Sequence, residues 1–131
     1  MSAFEPIPQA VDRVATIVVD AAFAVHKNLG PGLLESVYET CLCHELKKRG
    51  LEFKRQLAVP IVYDGVTLDA GLRLDLLVED CVIVEVKAVD KMNPLFEAQV
   101  MTYLKLTKRR VGLLFNFNVE MIRDGIQRIV L

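Results

Sequence analysis

The chain has 131 residues, 53% of them hydrophobic and 25% charged, with a net charge of −1 and a pI of about 6.1. That length holds one compact domain with a real core and is too short for two, and the composition excludes disorder. The near-neutral balance weighs against a strong non-specific DNA binder, so any polyanion contact must come from a local patch.

Residues 1–7 are expected to form a loose arm on a single domain spanning 1–131. Pro8 suits the first turn of a helix. From there Val11, Val14, Ile17, Val18, Ala21, Ala22 and Val25 recur at helical spacing, and the helix is expected to end near Asn28, before Gly30-Pro31-Gly32. His26 falls near that end and is read as a packing or capping residue. A second helix is expected from Leu33 to Arg49, with Leu34, Val37, Tyr38, Cys41 and Leu42 as its apolar stripe. Lys47, Lys48 and Arg49 suit its negative end, and Gly50 suits the position after it. Glu35 lies in its first turn, where a dipole-complementing acid is the plain reading.

One strand is expected from Phe53 to Tyr63, with Phe53, Leu57, Val59, Ile61 and Tyr63 on one face and Pro60 marking an edge or bulge. Asp64-Gly65 signals a hairpin turn. The next strands are Val66 to Val78 and Val82 to Val89, completing an antiparallel meander. Pro94 opens a third helix reaching Thr107. The apolar run VGLLFNF, residues 111–117, predicts a strand buried on both faces. Asp124-Gly125 turns the chain into a last strand, Ile126 to Leu131. The order is α-α-β-β-β-α-β-β, an α/β (α+β) chain. The helix between the third and fourth strands predicts a parallel crossover and so a mixed β-sheet flanked by helices.

Within this frame the segment LRLDLLVEDCVIVEVKAV, residues 72–89, carries charge where buried strands should not. Asp75 lies among leucines, and Glu85 and Lys87 lie among valines. An unpartnered buried charge costs several kcal/mol or shifts its pKa, so three of them together indicate a site. Glu85 and Lys87 share one strand face, with Val84, Val86 and Ala88 on the other. A three-residue loop at 79–81 pairs Val78 with Val82 and sets Asp75 opposite Glu85. A two-residue loop would put the two acids on opposite faces. Two like charges directly opposed repel. A divalent cation such as Mg²⁺ or Mn²⁺ removes that penalty.

Cys41, Cys43 and Cys81 show no metal-ligand spacing with His26 or His44. Three cysteines without a leader segment predict reduced thiols and a cytoplasmic location. The Val14 to Val25 run is interrupted by Asp20 and is too short to cross a membrane. There is no phosphate-binding GxxxxGK[ST] loop and no GxSxG elbow.

Asp75 followed by Glu85-x-Lys87 resembles the signature of the PD-(D/E)XK nuclease superfamily, and the element order resembles its restriction-endonuclease-like core. Gln99-x-x-x-Tyr103 resembles the QxxxY motif of its RecB-like branch. Gly32-Leu33-Leu34-Glu35-Ser36-Val37-Tyr38 resembles the motif that names the GxxExxY family. The stretches VHKNLGPGLLESVYE, EAQVMTYLKLT and GLLFNFNV are similar to that family as well. Leu74 stands where a Pro is usual before the metal-binding Asp, and Phe96 stands where a His is usual before Glu-Ala-Gln.

The resemblance implies a Mg²⁺- or Mn²⁺-dependent endonuclease-like enzyme acting on DNA or RNA. It implies metal ligands Asp75, Glu85, the Val86 carbonyl and Glu35 reaching in from the second helix. Lys87 is the implied catalytic cation. Gln99, Tyr103 and Tyr38 are implied to brace the site or contact substrate, and Tyr38 and Tyr103 are read as core or wall residues rather than catalysts. The small size and near-neutral charge keep a second expectation open, a non-catalytic domain that binds nucleic acid or a protein partner, or that works as a homodimer.

Overall fold

The structure is a computed structural model that describes residues 5–69 and 71–131. Most of the expected arm, residues 1–4, lies outside the described residues. Ile7, at its other end, packs against the core rather than hanging free. Helix α1 (Gln9–Leu29) is followed by α2 (Glu35–Lys48). Strands β1 (Phe53–Ala58), β2 (Ile61–Tyr63), β3 (Val66–Leu68), β4 (Arg73–Val78) and β5 (Val82–Lys87) come next. Helix α3 (Pro94–Thr107), β6 (Val111–Asn116) and β7 (Ile126–Val130) complete the chain.

Five strands form one mixed sheet in the order β1-β4-β5-β6-β7. β5 and β6 are parallel, joined over one face by α3, and the other pairs are antiparallel. This is the mixed sheet the crossover spacing predicts. Helices α1 and α2 cover one face, where Ala15, Val18, Tyr38 and Leu42 pack on Val84, Val86 and Phe115. Helix α3 covers the other, where Val100, Tyr103 and Leu104 pack on Leu74, Ile83 and Leu114. β6 is buried along its whole length, as a central strand between two layers must be. Gly112 on β6 lets α3 approach closely, because an added Cβ would fall 2.5 Å from Val100 Cγ1.

Two expected strands are each split. The run 53–63 breaks at Val59-Pro60, and the run 66–78 breaks after Leu68, with residue 70 outside the described residues. Pro60 has no N–H for a ladder. Val59 N–H instead donates to Leu72 O at 2.9 Å, and the chain then leaves the sheet. The segment between forms a separate hairpin of β2 and β3 around Asp64 and Gly65, both with positive φ, as a type I′ turn requires.

A subtler departure lies inside β1. Phe53 packs on the α1/α2 side and Leu57 on the α3 side, although they are four residues apart and share strand parity. The change of face falls at Gln56, whose φ is +53°. A non-glycine residue there costs about 1–3 kcal/mol. β4 changes face in step, since Leu74 packs on the α3 side and Leu76 on the α1/α2 side. Asp75 is the residue between them.

Helix α2 is also rolled relative to its expected stripe. Leu34 is 73% exposed and Val37 38% exposed, while Tyr38, Glu39, Leu42, Cys43 and Leu46 are buried. The buried row follows the i, i+3, i+4 spacing but includes an acid, Glu39.

Candidate active site

The β4–β5 hairpin closes through Glu79, Asp80 and Cys81, and Val78 pairs with Val82. From there the ladder runs back through Leu76 and Val84 and stops. The next opposed residues are Asp75 and Glu85, and their side chains take over the backbone bonding. Asp75 N–H donates to Glu85 Oε2 at 2.6 Å, and Val86 N–H donates to Asp75 Oδ2 at 2.8 Å. The two strands part at the site, and each carboxylate holds the other strand's backbone.

Burial and like charge act together here. Glu85 is 3% exposed. Its carboxyl is pushed up to about 8, first by desolvation and then by the charge of Asp75, while Lys87 pulls it down. Asp75 is also raised, first by burial, with the charge of Glu39 adding to it. Bonds from Val86 N–H and Gln56, and the charge of Lys87, oppose that rise.

Lys87 lies two residues beyond Glu85 on the same strand face. Its Nζ sits 4.6 Å from the centre of the Phe96 ring, a cation–π contact with the first turns of α3. Tyr103, also on α3, is 2% exposed. Its hydroxyl donates to Arg73 O at 2.8 Å and accepts from Gln99 Nε2 at 3.3 Å. Burial raises its pKa, followed by the charges of Glu85 and Asp75. Tyr103 thus ties α3 to β4 two residues before Asp75, and exposed Gln99 caps its hydroxyl.

Tyr38 lies elsewhere and is fully buried. Its ring stacks on Phe117 with centroids 4.7 Å apart. Its hydroxyl donates to Gly30 O at 2.6 Å and accepts from Leu33 N at 3.1 Å. It fixes the loop between α1 and α2 and is a core residue, as the core-or-wall reading has it; its grouping with the residues that brace the site is corrected.

Glu35 requires the larger correction. It is exposed at the start of α2 and makes no hydrogen bond among the described residues. The α2 acid turned toward the site is Glu39, one helical turn further on. Glu39 is 7% exposed and is bonded by Arg55 Nε at 2.5 Å and by Gln56 Nε2 at 3.0 Å. The same Gln56 amide donates to Asp75 Oδ1 at 3.2 Å. Among the described residues, no third Asp, Glu, His or Cys joins Asp75 and Glu85 in a group placed to hold a metal. The basic run Lys108-Arg109-Arg110 is also remote. Arg109 pairs with Asp80 at the hairpin turn, the far end of β4 from Asp75.

The donor chemistry fits a hard divalent cation. Asp75 and Glu85 present oxygen ligands at the end of a parted ladder. Their mutual repulsion is what a cation relieves, and Glu85 Oε1 takes no hydrogen bond among the described residues.

Element order and sheet topology define a restriction-endonuclease-like fold. The crystal structure of SSO0001 is similar, with a TM-score of 0.55 and 20% sequence identity. The match covers 92% of this chain and 61% of that one, so this chain spans about three-fifths of its length. The family model of the PD-(D/E)XK nuclease superfamily matches residues 12–129, and the chain belongs to that superfamily. A search of curated proteins gives no match. No helix among the described residues is long and apolar enough to cross a membrane.

Proposed function

We propose that this chain is a Mg²⁺- or Mn²⁺-dependent nuclease that hydrolyses phosphodiester bonds of DNA or RNA. The observation that carries this reading is the opposed Asp75–Glu85 pair, with Glu85 almost fully buried beside a like charge and Lys87 on the same face. A purely structural domain gains little from that arrangement, because burying two acids side by side is costly even with hydrogen bonds to each.

Asp75, Glu85 and the Val86 carbonyl are the proposed ligands. A divalent cation held there supplies charge neutralisation at phosphorus and an activated water. Lys87 cannot be a ligand, since an ammonium has no free lone pair. It orients the attacking water, or it stabilises the charge that builds on the phosphate oxygens as the new P–O bond forms and the old one breaks. The Phe96 ring limits where that ammonium can go. Tyr103 and Gln99 brace β4 against α3. The chain is further proposed to be a member of the GxxExxY group in the RecB-like branch, on its Gly32–Tyr38 and Gln99–Tyr103 motifs.

The test is a cleavage panel with Mg²⁺ or Mn²⁺ on single-stranded, duplex and branched DNA and RNA. The Lys87→Ala chain, prepared in parallel, controls for contaminating nuclease. Cleavage of some substrate by the wild type and not by the variant supports the reading. No cleavage of any substrate, with nucleic-acid binding retained, supports a non-catalytic binding domain instead.

A further inference from the structure

We infer that Gln56 is the positioning residue for the metal-binding carboxylate Asp75, and that Glu39 and Arg55 hold Gln56 in place. The inference rests on the metal-site reading above and adds to it a group outside the ligand set.

Three observations converge on Gln56. The first is its backbone. At φ +53° it is the one non-glycine residue with positive φ inside a strand among the described residues, and the β1–β4 pairing passes from Arg55↔Leu76 to Leu57↔Leu74 around it. Its freed carbonyl is taken up by Arg73 Nη1 at 3.3 Å. The second is direction. Successive strand residues normally point to opposite faces, yet Arg55 and Gln56 both donate to the Glu39 carboxylate. The left-handed residue is what brings two neighbours to one acid. The third is the amide itself. Its Nε2 has two protons, and it donates to Glu39 on α2 and to Asp75 Oδ1 on β4.

These contacts form a chain from Arg55 to Glu39, from Glu39 to the Gln56 amide, and from the amide to Asp75. Arg55 neutralises Glu39 and is itself held by Thr40 Oγ1 at 2.9 Å. Glu39 then fixes the amide, and the amide fixes the rotation of the Asp75 carboxylate. Val86 N–H holds the other Asp75 oxygen. With one bond on each oxygen, the remaining lone pairs have a set direction, as ligands oriented by outer partners do. The amide also stands between two carboxylates that would otherwise face each other. A strained backbone residue at a polar junction points toward function of this kind.

Mn²⁺ binding to the intact chain, measured by calorimetry and by the electron paramagnetic resonance of the free ion, tests this without reference to cleavage. Gln56→Leu removes both donors. Gln56→Gly removes them too but relieves the backbone, because glycine is at ease at φ +53°. Both variants should weaken Mn²⁺ binding about 10-fold or more, the usual loss for an outer partner. Gln56→Gly should do so with a melting temperature equal to or above that of the wild type. A merely structural Gln56 predicts a different split, a changed melting temperature with unchanged affinity. Wild-type affinity in both variants overturns the inference and leaves the metal site standing. A wild type that binds no Mn²⁺ overturns the metal site, and the inference with it.

Discussion

Asp75 and Glu85 end the β4–β5 ladder by setting carboxylates in place of backbone acceptors, the Glu85 carboxylate accepting Asp75 N–H and the Asp75 carboxylate accepting Val86 N–H. This arrangement places two acids side by side in a partly dry site. Glu85 uses Oε2 for its bond, so a side-chain amide can replace it with the NH₂ on the other side. Asp75 uses both oxygens, so the same change there would set two donors face to face. Glu85→Gln is therefore the cleaner probe. We expect it to raise the melting temperature of the metal-free protein at pH 9, where most of the wild-type carboxylate is charged. Mg²⁺ or Mn²⁺ should raise the wild-type melting temperature by binding linkage and leave the variant's almost unchanged. An equal metal-induced rise in both would place the cation elsewhere.

Lys87 separates catalysis from binding. An interaction made mainly in the transition state affects rate more than ground-state affinity. Lys87→Ala should reduce single-turnover cleavage by about 10²-fold or more. Mn²⁺ affinity should be retained or rise, because a nearby positive charge is gone. Equal losses in cleavage and in metal affinity would mean that Lys87 only supports the site's structure.

The parallel crossover, the mixed sheet and the Asp75–Glu85 opposition were legible in the sequence because each rests on a strong local rule. Parity and loop length set the two acids opposite one another, and a helix between strands predicts a parallel pair. What could not be read depends on backbone irregularity. The left-handed Gln56 swaps the faces of β1, so the alternation of Phe53 and Leu57 misleads. At the start of α2 the exposed Leu34, just before the helix, and Val37 imitate a core stripe, while the buried row contains Glu39, an acid that hydropathy assigns to solvent. Its signal was available in one place, the i, i+4 spacing of Glu35 and Glu39, which puts both on one helix face. Arg55 and Gln56, its partners, lie in a strand that sequence pattern alone treats as alternating.

Tyr38 provides a test of what belongs to the site. Its hydroxyl joins Gly30 O and Leu33 N, and its ring stacks on Phe117. Tyr38→Phe keeps the stack and loses the two bonds. We expect a loss of about 1 kcal/mol in stability, seen as a melting temperature lower by a few degrees. Mn²⁺ affinity and cleavage rate should be unchanged. A selective loss of cleavage with an unchanged melting temperature would return Tyr38 to the site.

The pH dependence follows from the raised carboxyl of Glu85, at about 8 in the metal-free fold against an ordinary 4.5. Below about 4.5 the folded and unfolded chains both hold the proton, and the stabilisation from this group is fully present. Between about 4.5 and 8 the folded state holds a proton that the unfolded state has released. Stability of the metal-free protein should therefore fall as pH rises through that window, and the contribution is lost above about 8. Metal binding runs the opposite way, because the cation must displace the same proton. Mn²⁺ affinity should climb between pH 6 and 8, by up to about tenfold per unit for one displaced proton, and level off above. Calorimetric titrations at pH 6, 7, 8 and 9 measure it, with proton release followed through buffers of different ionisation enthalpy. Glu85→Gln should bind weakly and show a flatter profile. A wild-type affinity that does not change from pH 6 to 8 would mean that Glu85 is already ionised and that its burial beside Asp75 does not control the site.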